Sequence, residues 1–191
     1  MQARRVFIAG GAAASAAAAA ARTAAAASAA DFPNPSLLTH TGRRVRFYDD
    51  IVKGNKAVVF NMIYASCRNI CPPNTANLIA VQRILGDRVG RDIFFCSLTL
   101  QPDLDRPPDL QAYAKRYGVG PGWTLLTGKR ADIEAIRRKL GFFDPDPAVD
   151  ANLAQHTGMV RMGNAARDRW SMMPSLLPAA RLARSIAELA S

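Results

Sequence analysis

Lys56-Ala-Val-Val-Phe-Asn-Met-Ile-Tyr64, followed at once by Ala65-Ser-Cys67-Arg-Asn-Ile-Cys71-Pro-Pro73, is the stretch on which the fold turns. Its opening part is a nearly continuous apolar run of β-branched and aromatic side chains. Such a run predicts a strand buried on both faces, the environment of a parallel sheet covered by helices. Pro72 and Pro73 suit the first turn of a helix, where a missing N–H would have had no partner anyway. From Thr75 onward Leu78, Val81 and Leu85 recur at helical spacing, and Gly86 supplies a stop. The stretch therefore reads as strand, cysteine-bearing loop, helix.

The pattern repeats downstream. Ile93 to Leu100 reads as a second buried strand, and Pro107-Pro108 opens a helix over Asp109 to Tyr117 that closes at Gly118. Trp123 to Leu126 is a short strand, Ala131 to Leu140 a helix stopped by Gly141, and Asp144-Pro145-Asp146-Pro147 a loop. His156 to Met162 and Arg169 to Met172 read as two strands flanking a Gly163-Asn164 turn, and Leu177 to Leu189 as a final helix. Upstream, Leu37 to Thr39 and Val45 to Phe47 form a short hairpin around His40-Thr41-Gly42. No internal repeat is present. The order predicts an α/β domain with helices on both faces of the sheet. That is compatible with a thioredoxin-like three-layer fold carrying an N-terminal β-hairpin extension.

At 191 residues, 49% hydrophobic and 21% charged, the chain has the composition of one globular domain rather than a disordered tail. Its 3 cysteines and 2 histidines exclude a disulfide-dense mini-protein, a multi-finger zinc domain and any cluster of four thiolates. Residues 1–30 stand apart from the rest. They combine the basic start Arg4-Arg5, a weakly apolar run of Ala and Gly, and a small-residue end at Ala27-Ser28-Ala29, the layout of a cleavable export signal. Arg22 interrupts the run before it reaches the ~20 apolar residues of a membrane span. Arg4-Arg5-Val6-Phe7-Ile8 resembles the twin-arginine export signal. The expected layout is thus a signal over 1–30 and a working domain over 31–191, active in the bacterial periplasm without an anchor once the signal is cut. In that oxidising compartment cysteine pairs can close. The signal contains three arginines and no acid, so its removal takes the formal charge from +10 to +7. The remaining charges are scattered and form no basic stripe interleaved with aromatics, so no nucleic-acid partner is expected.

Cys67 and Cys71 lie directly after the first buried strand and directly before the first long helix. A cysteine just ahead of a helix faces unpaired N–H groups and the positive end of the macrodipole, both of which favour thiolate. The short spacing lets the two sulfurs approach each other or a common ion. A bridge across so short a loop would add only about 2 kcal/mol at most, so stabilisation alone explains the pair poorly. Cys96, inside the buried run Phe94 to Leu98, reads as a small core residue. Two thiolates and one imidazole would form a soft trigonal set suited to Cu(I), and able to hold Cu(II). The candidate imidazoles are His40 and His156, each followed by Thr-Gly. His40 falls in the hairpin and reads as a hydrogen-bonded or surface residue. His156 opens a late strand that can lie beside the end of the first one. Met159, Met162, Met172 and Met173 read as core filler and Trp123 and Trp170 as packing residues.

With the cysteine motif in place, the chain resembles the Sco/SenC family of copper-binding, thioredoxin-like proteins of respiratory assembly. The resemblance runs from Phe47-Tyr48-Asp49-Asp50 and Gly54-Asn55-Lys56, through Val58 to Tyr64, Cys67-x3-Cys71-Pro72, Leu98-Thr99-Leu100, Pro102, Asp105, Pro107, Tyr113-Ala114 and Pro121-Gly122-Trp123, to His156-Thr157. It implies copper ligation by Cys67, Cys71 and His156, and a reversible, redox-active disulfide between the two cysteines when metal is absent. It further implies a metallochaperone serving the copper centre of cytochrome c oxidase subunit II or another periplasmic copper protein. The chain departs from the family pattern at Gln101, where an acidic residue is usual, at Arg106 in place of threonine, and at Gln155 before the histidine. These changes spare the three ligands and alter their surroundings. The alternative is a thiol–disulfide oxidoreductase that uses Cys67 and Cys71 to reduce partner cysteines. His156 separates the two readings, because disulfide exchange needs no remote histidine. A peroxidase is disfavoured, since no Thr-x-x-Cys pattern precedes Cys67.

Overall fold

The apolar run forms a strand over Ala57–Ile63 in which every residue is buried. It is buried because it lies inside a single seven-stranded sheet with neighbours on both sides. The computed structural model describes residues 32–153 and 158–191; the signal expected at 1–30 and His156 lie outside the described residues. In chain order the elements are β1 (Ser36–Thr39), β2 (Arg44–Arg46), a π-helical turn (Phe47–Val52), β3 (Ala57–Ile63), α1 (Cys71–Leu85), β4 (Ile93–Thr99), α2 (Pro107–Tyr117), β5 (Trp123–Thr127), α3 (Arg130–Leu140), a short α4 (Pro147–Asp150), β6 (Met159–Asn164), β7 (Arg169–Pro174) and α5 (Ala179–Leu189).

The strands lie in the order β2-β1-β5-β4-β3-β6-β7. β3, β4 and β5 run parallel. β1 joins β5 antiparallel, and β6 joins β3 antiparallel. The N-terminal hairpin thus extends one edge of the central sheet, and the β6–β7 hairpin extends the other.

Alternation along the central strands sorts the side chains into two cores. Val59 and Ile63 of β3, Phe95 of β4 and Leu125 of β5 meet Leu78 of α1, Leu110 of α2, and Leu182 and Ile186 of α5. On the other face Val58, Phe60 and Met62 of β3, Cys96 and Leu98 of β4, and Leu126 of β5 meet Ile133, Ile136 and Leu140 of α3. The result is the expected three-layer, thioredoxin-like arrangement. Burying each of these large side chains is worth about 1.5–3 kcal/mol.

The helix ends follow local chemistry. α2 and α3 close on Gly118 and Gly141 in the left-handed conformation, with φ of 68° and 81°, a region glycine enters without penalty. α2 opens at Pro107, after the Arg106 amide donates to the Asp109 carboxylate at 2.9 Å.

Three local expectations need correction. α1 begins at Cys71, ahead of Thr75, with both prolines inside its first turn as the sequence led us to expect. The loop expected at Asp144–Pro147 runs into α4, where the Asp146 carboxylate accepts from the Ala148 amide at 2.9 Å. The β6–β7 turn is built from Ala165–Arg167 and Asp168, which has φ of 47°, and Gly163-Asn164 belongs to β6. Gly163 is there because the Trp170 ring covers it, and a Cβ would collide with that ring. The Asn164 side chain accepts from the Ala166 amide at 3.1 Å and donates to the Leu189 carbonyl at 3.0 Å, so it caps the turn without forming it.

Candidate functional site

β3 ends at Ile63, and residues 64–70 carry the chain across the end of the sheet to α1. This crossing is held from a distance. Asp105, 3% exposed in the β4–α2 connection, accepts through Oδ2 from the Ala65 amide at 2.9 Å and from the Thr99 hydroxyl. The Leu100 amide donates to the Ile63 carbonyl at 2.8 Å, so the two loops leave the sheet side by side. Within the crossing the Cys67 amide donates to the Tyr64 carbonyl at 3.0 Å, a tight turn that directs the Cys67 side chain inward.

Cys67 and Cys71 are both free thiols and both buried, at 3% and 1% exposure. The Cys71 amide, at the start of α1, donates to Cys67 Sγ at 3.3 Å. Helix N-terminus, amide and sulfur therefore form the arrangement that stabilises a thiolate. Burial opposes ionisation of Cys67. Hydrogen bonds to its sulfur from the Cys71 thiol, the Cys71 amide, the Tyr64 hydroxyl and the Asn69 backbone outweigh that cost and bring its pKa below the ordinary cysteine value. Burial pushes the Cys71 thiol up, and its hydrogen bond to Cys67 and the Asp105 charge push the same way, against the Tyr64 backbone. The Tyr64 hydroxyl is pushed up to about 12, by burial and then by its bond to Cys67. The pair is thus asymmetric, with Cys67 the more acidic thiol and Cys71 the less acidic one.

Around the pair, the Thr75 hydroxyl and Tyr113 hydroxyl meet at 2.6 Å and tie α1 to α2. Gly158 packs on the other side of the α1 N-terminus, where a Cβ would stand 3.2 Å from Ile70 Cδ1 and 3.4 Å from Asn74 Nδ2. Its carbonyl accepts from the Ser175 amide at 2.8 Å and hydroxyl at 2.7 Å. Asn74 is itself buried, and its Oδ1 has no hydrogen-bond partner among the described residues.

Cys96 is in neither arrangement. It sits mid-strand between Phe60 of β3 and Thr124 of β5, in the core on the opposite face of the sheet, and burial pushes its thiol up. His40 Nδ1 accepts from the Leu125 amide at 3.2 Å, so it is the hydrogen-bonded histidine the sequence led us to expect. Burial lowers its pKa, against a smaller raising contribution from the Leu125 backbone. The strand leading into it, β1, pairs with Leu126 and Thr127 of β5, and β5 and β4 separate it from β3, beyond whose end the thiols lie. Met162 is fully buried, and Trp123 Nε1 donates to the Ser97 hydroxyl at 2.8 Å; both are packing residues. Among the described residues no three His, Cys, Asp or Glu side chains gather as a metal cluster.

Sequence reasoning gave no role to Asp105, Tyr64 or Asn74. An aspartate set among prolines at Pro102 and Pro107 is a weak signal, and nothing local links it to an amide 40 positions away. Gln101, at the position the family usually fills with an acid, accepts from the Ser66 hydroxyl at 3.4 Å.

Fold and site together define a thioredoxin-like α/β domain with an asymmetric dithiol on its strand-to-helix turn. The SCO1/SenC family model matches residues 21–191, and the chain belongs to that family. The SCO1 protein homolog of Bacillus subtilis is 31% identical over 81 residues, a stretch spanning 41% of this chain and 42% of that protein. The chain thus matches less than half the length of that relative. Among solved structures, a SCO1/SenC family lipoprotein from Bacillus anthracis has a TM-score of 0.66 at 22% identity, covering 84% of this chain and 95% of that one. Bradyrhizobium japonicum ScoI with copper bound has a TM-score of 0.64 at 20% identity, covering 81% of this chain and 96% of that one. At these identities the structural likeness speaks for the fold.

Proposed function

We propose that this protein is an exported copper metallochaperone of the Sco type, in which Cys67, Cys71 and His156 hold the ion. The observation that carries the reading is the buried pair of thiols at the N-terminus of α1, hydrogen-bonded to each other and to the Cys71 amide. Two sulfurs so placed need only an imidazole to complete a soft set for Cu(I) that also accepts Cu(II). Gly158, which follows His156 by two positions in sequence, packs against Ile70 and Asn74 at the start of α1. The buried Asn74 side chain, which packs on Gly158, has an Oδ1 with no partner among the described residues. That oxygen is an acceptor suited to an imidazole N–H, the contact that normally orients a metal-bound histidine. The copper-bound ScoI of the same fold supports the choice of metal.

Copper is cargo in this reading. The receiving partner is subunit II of cytochrome c oxidase or another periplasmic copper protein, reached after residues 1–30 have directed export. Among the described residues no helix is long and apolar enough to cross a membrane.

A second reading, favoured by the opposite pKa directions of Cys67 and Cys71, is reduction of a partner disulfide. The Cys67 thiolate attacks one partner sulfur and expels the other as thiolate. Cys71 then passes its proton to that expelled thiolate and attacks Cys67 Sγ, closing the Cys67–Cys71 disulfide. The second partner sulfur is expelled as a thiolate that takes its proton from solvent, so the partner leaves as a dithiol with two electrons gained.

Anaerobic Cu(I) and Cu(II) titration of the reduced protein, cut after the signal, tests the first reading. One equivalent of copper with thiolate-to-copper charge-transfer absorption is expected, and His156→Ala should lose copper while keeping disulfide exchange. Undiminished copper binding in His156→Ala overturns the metallochaperone.

A further inference from the structure

Beside the thiol loop lies a groove of about 420 Å³. Ser66 and Arg68 line it from the loop itself, Gln101 and Leu104 from the β4–α2 connection, and Tyr113 and Arg116 from α2. We propose that this groove docks an acidic segment of the protein that exchanges with Cys67 and Cys71, an inference that rests on the functional reading above.

The argument is one of unspent charge. Four charged side chains line the groove, and its two carboxylates are already engaged. Asp105 is buried and accepts from the Ala65 amide and the Thr99 hydroxyl. Asp109 accepts from the Arg106 amide at the start of α2, where the helix dipole also compensates its charge. Arg68 and Arg116 are exposed and form no ion pair with any described residue. What the groove offers a visitor is therefore guanidinium donors, which match carboxylates in geometry as well as in sign. Leu104, 69% exposed on the rim, supplies an apolar contact between them.

The larger cavity of about 550 Å³ on the α3 face makes the contrast. Arg130 there pairs with Asp103, Arg137 with Asp150 and Glu134, and Arg138 with Glu134, so its arginines are committed internally. Arg68 adds a positional argument. It stands between the two cysteines in sequence and is exposed while they are buried, so the loop that carries the thiols also presents a guanidinium on the wall of the groove.

The test is fluorescence anisotropy at low salt with the reduced full chain and two labelled peptides, one alternating Glu with Leu and one alternating Lys with Leu. The acidic peptide should bind and the basic one should not. Arg68→Gln/Arg116→Gln should weaken acidic-peptide binding about tenfold. Arg181→Gln/Arg184→Gln, which removes the same charge from the exposed side of α5, should leave it within twofold of the starting value (roughly, for remote charges). Equal weakening by the two double variants, no weakening by the groove variant, or equal affinity for both peptides overturns the proposal. Copper titration of the unsubstituted protein is read in parallel. Peptide selectivity without copper binding sinks the metallochaperone and leaves the docking surface, and copper binding without selectivity does the reverse.

Discussion

The three cysteines are all buried, all on or beside the same central sheet, and chemically unlike. Cys67 and Cys71 stand where β3 has ended and α1 begins, so backbone N–H groups without helix partners point at sulfur. Cys96 stands in the middle of β4, where both neighbouring strands have consumed the backbone donors and only side chains of the second core surround it. Burial raises the pKa of an isolated thiol in either place. At the helix start, hydrogen bonds reverse that for Cys67; in the strand nothing does so for Cys96. Access to unpaired amides, and not depth, separates a reactive cysteine from an inert one.

The largest effect that would break this comparison is on metal. Cys67→Ser should lower copper affinity by more than about a hundredfold, the upper end of what even indirect perturbations of metal sites produce. Cys96→Ala should leave affinity unchanged and cost roughly 1–2 kcal/mol of stability as a small core deletion. Competition titration with a copper chelator and chemical denaturation measure the two. Copper loss in Cys96→Ala would mean that the faces of the sheet are not independent.

Next in size is thiol reactivity. In the metal-free native protein, iodoacetamide should modify Cys67 first, with a half-maximal rate at a pH below the free-cysteine value of about 8.5. Cys71 and Cys96 should resist until the chain unfolds. Mass spectrometry of peptides alkylated across a pH series reads this directly, and modification of Cys96 at a rate like that of Cys67 would remove the distinction. Asn74→Ala should weaken copper binding about tenfold without changing this alkylation profile, as expected if its Oδ1 orients an imidazole and does not act on sulfur.

The smallest effect is on stability against pH, and its sign differs between the sites. The lowered pKa of Cys67 contributes stability that is present above the unfolded value and lost as pH falls through the folded one. The raised pKa of Cys96 works the other way. Stability from keeping it neutral is full below about pH 8.5 and declines above that, as the unfolded chain ionises. Cys96→Ala should therefore flatten part of the alkaline loss of stability, and urea midpoints compared at pH 8 and about pH 10 would show it.

Much of this was legible before any coordinates. The run from Lys56 to Tyr64 reads as a doubly covered strand, because its β-branched and aromatic side chains suit a sheet interior covered by helices on both faces. Gly118 and Gly141 end their helices as read, because left-handed backbone favours glycine. The β6–β7 turn was misread because Gly163-Asn164 looks like turn chemistry. Its glycine answers instead to an indole ring on the neighbouring strand. The site was half legible. Its cysteines follow from position, but Asp105, which shapes the loop that presents them, acts across 40 residues on a backbone amide that carries no side-chain signature.

What the sequence determined by itself is what one stretch of chain settles with its own geometry: strand burial, helix phase, helix ends, and a pair of sulfurs on a strand-to-helix turn. Tertiary structure alone decided which sulfur of the pair is the more acidic, which face hides Cys96, and which arginines remain unpaired beside the thiols. Each of these depends on hydrogen bonds and charges brought together from distant parts of the chain, and such contacts leave no periodicity to read.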